Sequence, residues 1–368
     1  MQHLLIYLGA LLLSMMSGFI YIPLITRYCQ KREFFDIPDA RKVHKTPIPR
    51  LGGMAFVPSM LLACVLVLFA MNYQSDTGLN FSLSSLYFCI SLLIIYFTGI
   101  IDDFVGVKAS PKFLVQIAAT IILPISGLYI NNLYGLFGIY TIPFWVGAPL
   151  TVLVMVFTCN AINLIDGIDG LSASLTVIAL VGFIIVFDAE GLIFYGILIA
   201  SLMGVLIPFL HYNMFGSIEK KQKIFMGDSG SLSLGFVLGF LAVKLCMDTP
   251  KTPYNPIHVM WSWTLLAVPC FDVVRVFFYR ICHHRSPFHP DKNHIHHKLL
   301  ACGLNQHKAL VAILLLQLFI IGINVLLLYG LTSLTVILCI DIAIYLAFVI
   351  MTDKIAARKE VFISKLER

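Results

Sequence analysis

The sequence predicts an all-α protein that crosses a membrane many times and forms one domain over residues 1–368. Of its 368 residues, 59% are hydrophobic and only 12% are charged, and the mean hydropathy is +0.92. Apolar runs near the roughly 20 residues that a helix needs to cross a bilayer recur along the whole chain. Such a composition leaves no room for a separate soluble domain.

Eleven apolar runs are long enough to be membrane-spanning helices. The first is too long for the apolar part of a signal peptide and is followed by basic residues, so we expect it to remain as a helix. The predicted spans cover residues 3–26, 51–72, 82–101, 113–131, 142–160, 171–187, 191–211, 230–247, 258–278, 309–330 and 333–352.

Basic residues distinguish the two sides of this predicted bundle. Of the 25 Lys and Arg residues, all but Lys244 and Lys251 fall in alternate connecting segments or at the adjoining helix ends. By the positive-inside rule that side is the cytoplasm, which places the N-terminus outside and the C-terminus inside. The predicted cytoplasmic segments are loops near 27–50, 102–112, 160–171, 212–229 and 279–308, and a tail at 353–368.

The acidic residues gather mainly at the same face, and Asp341 is the one predicted to lie deep in a span. A secondary transporter is expected to place ionisable groups near the membrane midplane, where only Asp341 and Lys244 qualify. The pattern therefore favours a membrane enzyme with a polar substrate from the cytoplasm, and a transporter of phosphorylated metabolites is the alternative from another class. The nine Cys form no Cys-x-x-Cys pair, which argues against a disulfide framework or a zinc–cysteine site.

The most informative stretch runs from Asn160 to Leu171, between the fifth and sixth predicted spans. Its polar residues are Asn160, Asn163, Asp166 and Asp169, and its glycines let the backbone come close to a ligand. A polar cluster at the edge of a membrane is costly unless it binds something. We therefore expect a binding site here rather than a plain polar loop, which is the alternative explanation.

Two further carboxylate motifs lie at helix ends on the same side. Asp102 and Asp103 end the third span, where anionic lipids favour Lys and Arg, so a nearby cation would explain them. Asp228 opens the eighth span within the motif Met-Gly-Asp-Ser-Gly-Ser, and a helix N-terminus attracts phosphate. The alternatives are an ordinary helix terminus for the pair and a helix N-cap for Asp228.

The largest predicted cytoplasmic loop carries a cluster of histidines, His294-Ile-His296-His297. A histidine cluster suggests a zinc site, but no Cys or Glu residue lies at a spacing that would complete the set of zinc ligands. Neutral His, together with Lys or Arg, fits hydrogen bonding to phosphate oxygens better. Asp272, near the inner end of the ninth span, belongs to the site or simply pairs with Arg275 one helical turn away.

Together these motifs predict a type of chemistry. Carboxylates suit Mg²⁺, a hard ion that prefers oxygen ligands, and the surrounding cations suit a substrate with several phosphates. No Walker-type Gly-x-x-x-x-Gly-Lys loop is present, which argues against ATP hydrolysis. The residues alone thus predict a Mg²⁺-dependent transfer on a phosphorylated substrate at the inner leaflet.

The motifs and their order resemble the polyprenyl-phosphate N-acetylhexosamine-1-phosphate transferases, the glycosyltransferase 4 group that includes the WecA-, TagO- and MraY-type enzymes. The likeness runs from Asp36 to about Lys308, and the eleven predicted spans with an inside C-terminus look like the WecA branch. It rests on Arg41-Lys42-Val-His44 with Pro49-Arg50-Leu-Gly52-Gly53, then Asp102-Asp103, the Asn160–Leu171 stretch, Met226-Gly-Asp228-Ser-Gly-Ser231 and the late His motif.

The resemblance implies that a UDP-N-acetylhexosamine, most simply UDP-GlcNAc, and undecaprenyl phosphate give the lipid-diphosphate-sugar and UMP. This step starts the synthesis of cell-wall, O-antigen lipopolysaccharide or related polysaccharides in a bacterial plasma membrane. The resemblance also implies Mg²⁺, with Mn²⁺ as a substitute, a homodimer and no nucleic-acid partner. The late motif departs from the MraY branch, whose His run continues to Phe-Glu, and this argues against a UDP-muramyl-pentapeptide donor, the alternative within the family.

The resemblance further implies roles for the motif residues. Asp228 would be the principal Mg²⁺ ligand, Asp102 and Asp103 would help with the lipid phosphate or the metal, and one of these two is the candidate base. We favour direct attack over a covalent Asp intermediate, because it needs only one in-line geometry. The residues expected in the chemistry are Asp102, Asp103, Asp166, Asp169, His296 and His297. Those expected to bind substrate are Lys42, His44, Lys112, Asn160, Asn163, Asp166, Asp272, His294, His296 and His297.

Overall fold

The structure is a computed structural model that describes residues 2–36, 46–75, 83–249, 255–286, 291–330 and 333–366. These residues form thirteen α-helices, two short antiparallel strand pairs and a 3-10 helix at Gly52–Ala55. The helices are α1 Gln2–Arg32, α2 Phe56–Ser75, α3 Leu83–Val105, α4 Ala109–Ile125, α5 Phe144–Ile165, α6 Leu171–Ala189, α7 Ile193–Phe215, α8 Gly227–Leu245, α9 Pro256–Thr264, α10 Ala267–Cys282, α11 Ile295–Ala301, α12 Gln306–Tyr329 and α13 Leu334–Leu366. The strand pairs are β1 Phe35–Asp36 with β2 Ile48–Pro49, and β3 Asn132–Leu136 with β4 Ile139–Thr141.

Within these ranges, nine helices have at least 18 residues and enough apolar character to cross a membrane, which confirms an all-α polytopic membrane protein. The fourth predicted span is the shorter helix α4, which has 17 residues and begins at Ala109. The ninth predicted span is divided into the two helices α9 and α10. The residues predicted as a cytoplasmic tail from 353 onward continue α13 as far as Leu366.

A buried side chain stabilises the break between α9 and α10. Gln317 of α12 donates from Nε2 to the carbonyl oxygen of Thr264 (2.8 Å) and accepts at Oε1 from the N–H of Val268 (3.0 Å). A break inside an apolar bundle leaves such backbone groups without their helical partners. The Gln317 side chain is fully buried, so it replaces hydrogen bonds that water cannot supply there.

Helix α8 forms the centre of the bundle, because nearly all of its side chains are buried. It packs mainly against α3 and α5. A small residue allows the close approach of α3, since a Cβ at Gly99 would lie only 2.5 Å from the Cα of Ser229. This approach brings the C-terminal end of α3 beside the N-terminal end of α8.

Backbone hydrogen bonds hold the segment after β2 against the residues that precede α8. The N–H groups of Gly52 and Gly53 donate to the carbonyl oxygens of Phe225 (2.9 Å) and Met226 (2.7 Å). In return, the N–H of Phe225 donates to the carbonyl oxygen of Pro49 (2.7 Å). The polar motifs that follow β2 and precede α8 are therefore fixed at the same end of the bundle.

Candidate active site

The N-terminus of α8 is capped by a carboxylate from another helix. Asp103, at the end of α3, accepts from the backbone N–H of Asp228 at Oδ1 (2.7 Å) and from that of Ser229 at Oδ2 (2.9 Å). Gly227 has a φ of +75°, and a Cβ there would lie against the Asp103 carboxylate, so this position requires glycine. Among the described residues the Asp228 carboxylate accepts from the side chains of Asn163 and Lys112, so it is not the cap of its own helix.

The Asp228 carboxylate meets two donors from neighbouring helices. Asn163 Nδ2, near the end of α5, donates to Asp228 Oδ1. Lys112 Nζ, in the first turn of α4, lies 3.2 Å from Asp228 Oδ2 and 2.6 Å from Asp102 Oδ2. Asp102 also accepts from the backbone N–H of Val107 at Oδ1 (2.6 Å). Lys112 thus bridges two carboxylates that would otherwise repel each other.

The turn between α5 and α6 is fixed by an ion pair. Lys223 Nζ lies 2.6 Å from Asp169 Oδ2 and donates to the carbonyl oxygen of Asn213 (2.9 Å). Asn213 in turn accepts at Oδ1 from the N–H of Gly170 (2.7 Å). Asp169 is therefore already neutralised by a cation of the protein, and its contacts shape the turn.

Asp166 differs from the other carboxylates, because its side chain makes no hydrogen bond or ion pair with the described residues, although it lines the cavity. Burial raises the pKa of Asp166 to about 7, and the neighbouring charges of Asp228, Asp169 and Asp103 act in the same direction. A carboxyl group in this position is stabilised as a carboxylate by an added cation. Asp166 is thus the acidic group best placed to respond to a metal ion.

Asp272 is the centre of a buried hydrogen-bond network beneath the histidine cluster. The residue has no exposed surface. Its Oδ1 accepts from Arg275 Nη2 (2.8 Å), the N–H of Ile295 (3.0 Å) and Tyr345 OH (2.8 Å), while His294 Nδ1 donates to its Oδ2 (2.7 Å). Asp272 therefore joins α10 to α13 and fixes the start of α11. The predicted pairing with Arg275 is present, but Asp272 positions His294 and does not face the cavity.

The two remaining histidines of the cluster approach the turn that holds Asp166. His296 packs against Gly167, where any side chain would overlap its ring. Burial, followed by the charge of His297, lowers the pKa of His296 to about 3, so it is neutral at physiological pH. Burial also lowers the pKa of His297, which reaches the cavity wall.

A cavity of about 740 Å³ opens at this end of the bundle. Its described lining combines polar residues from several helices with a few apolar side chains. These residues are Asp36, Thr46, Ile48, Arg50, Asp103, Asn163, Asp166, Gly167, Ile168, Asp169, Asn213, Ile218, Lys223, Phe225, Met226, Gly227, Asp228, Ser231, His297 and Gln306.

The structure brings many of the predicted site residues together and sets others apart. The cavity wall contains Asp103, Asn163, Asp166, Asp169, Asp228 and His297. Lys112 contacts Asp228 from outside the wall and links it to Asp102, and Asn160 donates instead to Gln116 Oε1 (2.6 Å) between α4 and α5. Asp272, His294 and His296 lie behind the wall. The predicted residues Lys42 and His44 fall outside the described residues.

The sequence places Arg50 in one of the quoted motifs without giving it a site role, and it does not single out Lys223 or Asn213, which also belong to the wall. In the sequence, Lys223 is one of several loop lysines that the positive-inside rule already explains. Asn213 is a lone amide at the end of an apolar run. The available signal is its depth, because a buried amide near the membrane edge must find partners, and Asn213 finds them in Gly170 and Ile224.

The carboxylates of the cavity fit a hard divalent cation such as Mg²⁺. Asp166 is free of hydrogen bonds to the described residues, and Asp228 keeps further lone pairs beside its two donors. Within the described ranges, no three His, Cys, Asp or Glu side chains already surround one point. Mg²⁺ commonly takes one or two carboxylates and completes its shell with substrate phosphate and water, so this donor set is sufficient.

Comparisons with known proteins identify relatives over most of the chain. A family model described as glycosyl transferase family 4 matches residues 85–246. The chain is 32% identical over 335 residues to the probable undecaprenyl-phosphate N-acetylglucosaminyl 1-phosphate transferase of Bacillus subtilis (strain 168), with 88% of this chain and 85% of that protein covered.

Two further relatives carry a closely similar description. The chain is 28% identical over 307 residues to the undecaprenyl-phosphate alpha-N-acetylglucosaminyl 1-phosphate transferase of Escherichia coli (strain K12), covering 82% of this chain and 78% of that protein. The Yersinia pestis protein of the same description is 28% identical over 316 residues, with coverages of 83% and 82%. The chain therefore belongs to glycosyl transferase family 4, the family whose motifs it resembles.

Proposed function

We propose that this protein transfers a sugar 1-phosphate from a UDP-N-acetylhexosamine, most simply UDP-GlcNAc, to undecaprenyl phosphate. The products are UMP and the lipid-diphosphate-sugar that starts a cell-envelope polysaccharide. The observation that carries the proposal is the meeting of Asp166, Asp228 and Asn163 at one cavity, which has room for a nucleotide-sugar. The printed descriptions of the relatives support the same reaction.

The chemistry is a displacement at phosphorus. An oxygen of the lipid phosphate forms a bond to the sugar-bearing phosphorus of the donor, and the bond from that phosphorus to the bridging oxygen breaks. UMP leaves with the electron pair of that bond. The second pKa of a phosphate monoester is about 6, so much of the lipid phosphate is already dianionic at neutral pH and a base need do little. We therefore favour direct attack over a covalent Asp intermediate.

The protein supplies positioning and charge compensation for this step. Lys112, which bridges Asp102 and Asp228, provides a positive charge beside the proposed site of attack. Such pre-arranged charges usually account for most of the catalysis in phosphoryl transfer. We assign Asp103 the role of fixing the Asp228 backbone, because both of its oxygens accept from that turn.

We propose that Asp166 and Asp228 hold Mg²⁺, with Mn²⁺ as a substitute. The metal would neutralise phosphate charge while both substrates are bound. Asp102 and Asp103 are less suitable as direct ligands than the sequence suggests, because Asp102 lies outside the cavity lining and both oxygens of Asp103 accept backbone N–H groups of the turn before α8. Asp169 is committed to Lys223 in the same way.

The proposed orientation places this cavity at the cytoplasmic face. The loops around it carry most of the basic residues of the chain, as the positive-inside rule requires for the cytoplasmic side. Counting α4 and the pair α9–α10 as crossings gives the eleven spans of the sequence prediction, with the N-terminus outside. A bacterial plasma membrane and a homodimer are parts of this proposal.

Two alternatives give different experimental results. A UDP-muramyl-pentapeptide donor is disfavoured by the sequence His-Ile-His-His-Lys at 294–298. A secondary transporter of phosphorylated metabolites is disfavoured because the acidic residues of the cavity lie at helix ends, whereas a transporter binds its substrate near the midplane.

The test incubates the purified protein with undecaprenyl phosphate, Mg²⁺ and a panel of radiolabelled UDP-sugars. We expect label from UDP-GlcNAc in a lipid-extractable product, release of UMP, and loss of both signals with a chelator. Failure to form a lipid-linked product from any UDP-aminosugar would contradict the transferase function. Labelling from UDP-MurNAc-pentapeptide alone would instead assign the protein to the MraY-type branch of the family.

A further inference from the structure

We propose that Arg50 binds the diphosphate of the nucleotide-sugar and so helps to set the affinity for the donor. This inference rests on the proposed function and concerns the same cavity. Arg50 lies directly after β2, is half-buried, and lines the cavity between the loop at Thr46 and the start of α8.

The backbone of Arg50 is held rigidly beside the turn that carries Asp228. Its neighbours Pro49 and Gly52 exchange backbone hydrogen bonds with Phe225. The carbonyl oxygen of Arg50 lies against Gly227, so closely that a Cβ on this glycine would overlap it. The point from which the Arg50 side chain extends into the cavity is therefore set before a ligand binds.

The guanidinium of Arg50 has no partner among the described residues. Its Nε is buried without a hydrogen bond, and its side chain makes no ion pair. Asp103 also lines the cavity, but both of its oxygens accept backbone N–H groups and it forms no ion pair with Arg50 among the described residues. A buried, unpaired donor on a cation is costly, so the arrangement indicates an anionic ligand that completes the hydrogen bonds of Arg50.

The other basic residues of the cavity lining are not available to a substrate phosphate. Lys223 is paired with Asp169. The lowered pKa of His297 leaves its ring neutral at physiological pH. Within the described lining, Arg50 is the cation that remains for a substrate phosphate, and its planar group can form paired hydrogen bonds to phosphate oxygens.

The position of Arg50 favours the donor over the lipid as its ligand. Arg50 faces the polar cavity, which has a volume of about 740 Å³ and can take up a nucleotide-sugar. Lys112 lies outside the lining of this cavity, on a helix whose neighbouring Leu114 is exposed on the surface expected to face lipid. The undecaprenyl chain must remain in the apolar phase. We therefore assign Lys112 to the lipid phosphate and Arg50 to the nucleotide diphosphate.

The test measures initial rates of the full-length protein while UDP-GlcNAc and undecaprenyl phosphate are varied in turn. For R50Q we expect the KM for UDP-GlcNAc to rise about tenfold or more, because charge-assisted hydrogen bonds are lost. The KM for undecaprenyl phosphate should stay within about twofold. R50K keeps the charge but not the paired geometry, and its KM for the donor should rise about threefold or more. The matched control is R32Q, an exposed arginine at the end of α1, which should behave as the wild type.

Two results would overturn the proposal. One is an R50Q variant whose donor KM stays within about twofold of the wild type. The other is a rise in KM for undecaprenyl phosphate alone, which would assign Arg50 to the lipid phosphate. If R50Q does not fold, as judged by size-exclusion chromatography and its melting temperature, R50K decides by the same two criteria.

A binding measurement separates this proposal from the proposed function. UDP should raise the melting temperature of the wild type more than that of R50Q, whereas uridine, which has no phosphate, should affect both equally. If the wild type forms no lipid-linked sugar at all, the proposed function fails, and this comparison still decides the role of Arg50. Equal shifts with UDP in both proteins would refute it.

Discussion

Asp103 fixes the position of Asp228: its carboxylate accepts hydrogen bonds from the backbone N–H groups of Asp228 (2.7 Å) and Ser229 (2.9 Å). The link joins the end of α3 to the start of α8, which are far apart in the chain. One of the two adjacent aspartates is thus a helix cap supplied by another helix. The direction of the Asp228 side chain depends on it.

Replacing the cap should reduce both stability and activity. We expect Asp103→Ala to lower the free energy of unfolding by about 1 to 2 kcal/mol, as for other lost caps, and to reduce turnover because Asp228 is no longer held. The melting temperature in detergent and the initial rate measure the two effects. Glu219→Ala, an exposed carboxylate in a loop at the same end, is the control and should change neither. An Asp103→Ala protein with an unchanged melting temperature would contradict the capping role.

Removing the charge of Asp228 should abolish catalysis while leaving the fold intact. Asn at position 228 can still accept from Lys112, but it cannot bind Mg²⁺ as a carboxylate does. We expect turnover to fall at least about 100-fold, the scale seen when one electrostatic group of an active site is lost.

Metal binding by the same variant gives an independent measurement. Mg²⁺ should raise the melting temperature of the wild type, because a ligand that binds only the folded state stabilises it. The shift should be much smaller for Asp228→Asn and for Asp166→Asn, and unchanged for Glu219→Ala. Normal turnover of Asp228→Asn would exclude Asp228 as an essential ligand.

The sequence predicts the meeting of Asn163, Asp166 and Asp228 because polar groups at a membrane edge are costly without a ligand, and because basic loops assign the helix ends to one side. It does not predict which carboxylate remains free. That depends on the close approach of α3 and α8 at Gly99, which gives the Asp103 side chain its two backbone partners. No regular spacing of residues along the chain predicts this contact between α3 and α8.

The ninth predicted span shows a different limit. Its apolar character is continuous, so hydropathy predicts one helix where the structure has two. A signal for the break is present in Pro269, which has no N–H to donate to Leu265 and occupies the first turn of α10. The stabilising contact comes from Gln317, which no local pattern connects to this position.

The network around Asp272 should respond very differently to loss of its charge and loss of one donor. Asp272→Asn leaves Arg275 buried without its counter-ion, and we expect a destabilisation of about 3 to 5 kcal/mol. Tyr345→Phe removes a single hydrogen bond and should cost about 1 kcal/mol. Melting temperatures provide the comparison, with the exposed Tyr73→Phe as the control. Equal effects of the two changes would mean that the ion pair contributes nothing to the fold.

The buried ring of His296 should make stability depend on pH. Its pKa is about 3 in the folded protein, below the usual 6.5, because burial disfavours the charged ring. The unfolded chain therefore binds an extra proton below about pH 6.5, and stability falls as the pH decreases, by about 1.4 kcal/mol per pH unit.

The pH effect can be isolated with a variant that has no titrating ring. We expect the melting temperature of the wild type to drop more between pH 7.5 and 5.5 than that of His296→Asn. His307→Asn, an exposed histidine at the start of α12, should retain the full pH dependence. If His296→Asn loses as much stability on acidification as the wild type, His296 is not the responsible group.

Asp341 provides the sharpest comparison between an enzyme and a transporter. It is fully buried in α13, where its Oδ2 accepts from Trp263 Nε1 (3.0 Å) and Asn324 Nδ2 (2.9 Å), and it is not part of the cavity wall. A transporter would need such a deep carboxylate for its ion or substrate. A transferase with its catalytic site at Asp228 does not need a carboxylate at this depth.

We therefore expect Asp341→Asn, which keeps an acceptor for Trp263, to preserve turnover within about threefold. Size-exclusion chromatography checks the fold, and lipid-linked product measures the rate. Loss of product by a folded Asp341→Asn protein would contradict the placement of the catalytic site at Asp228.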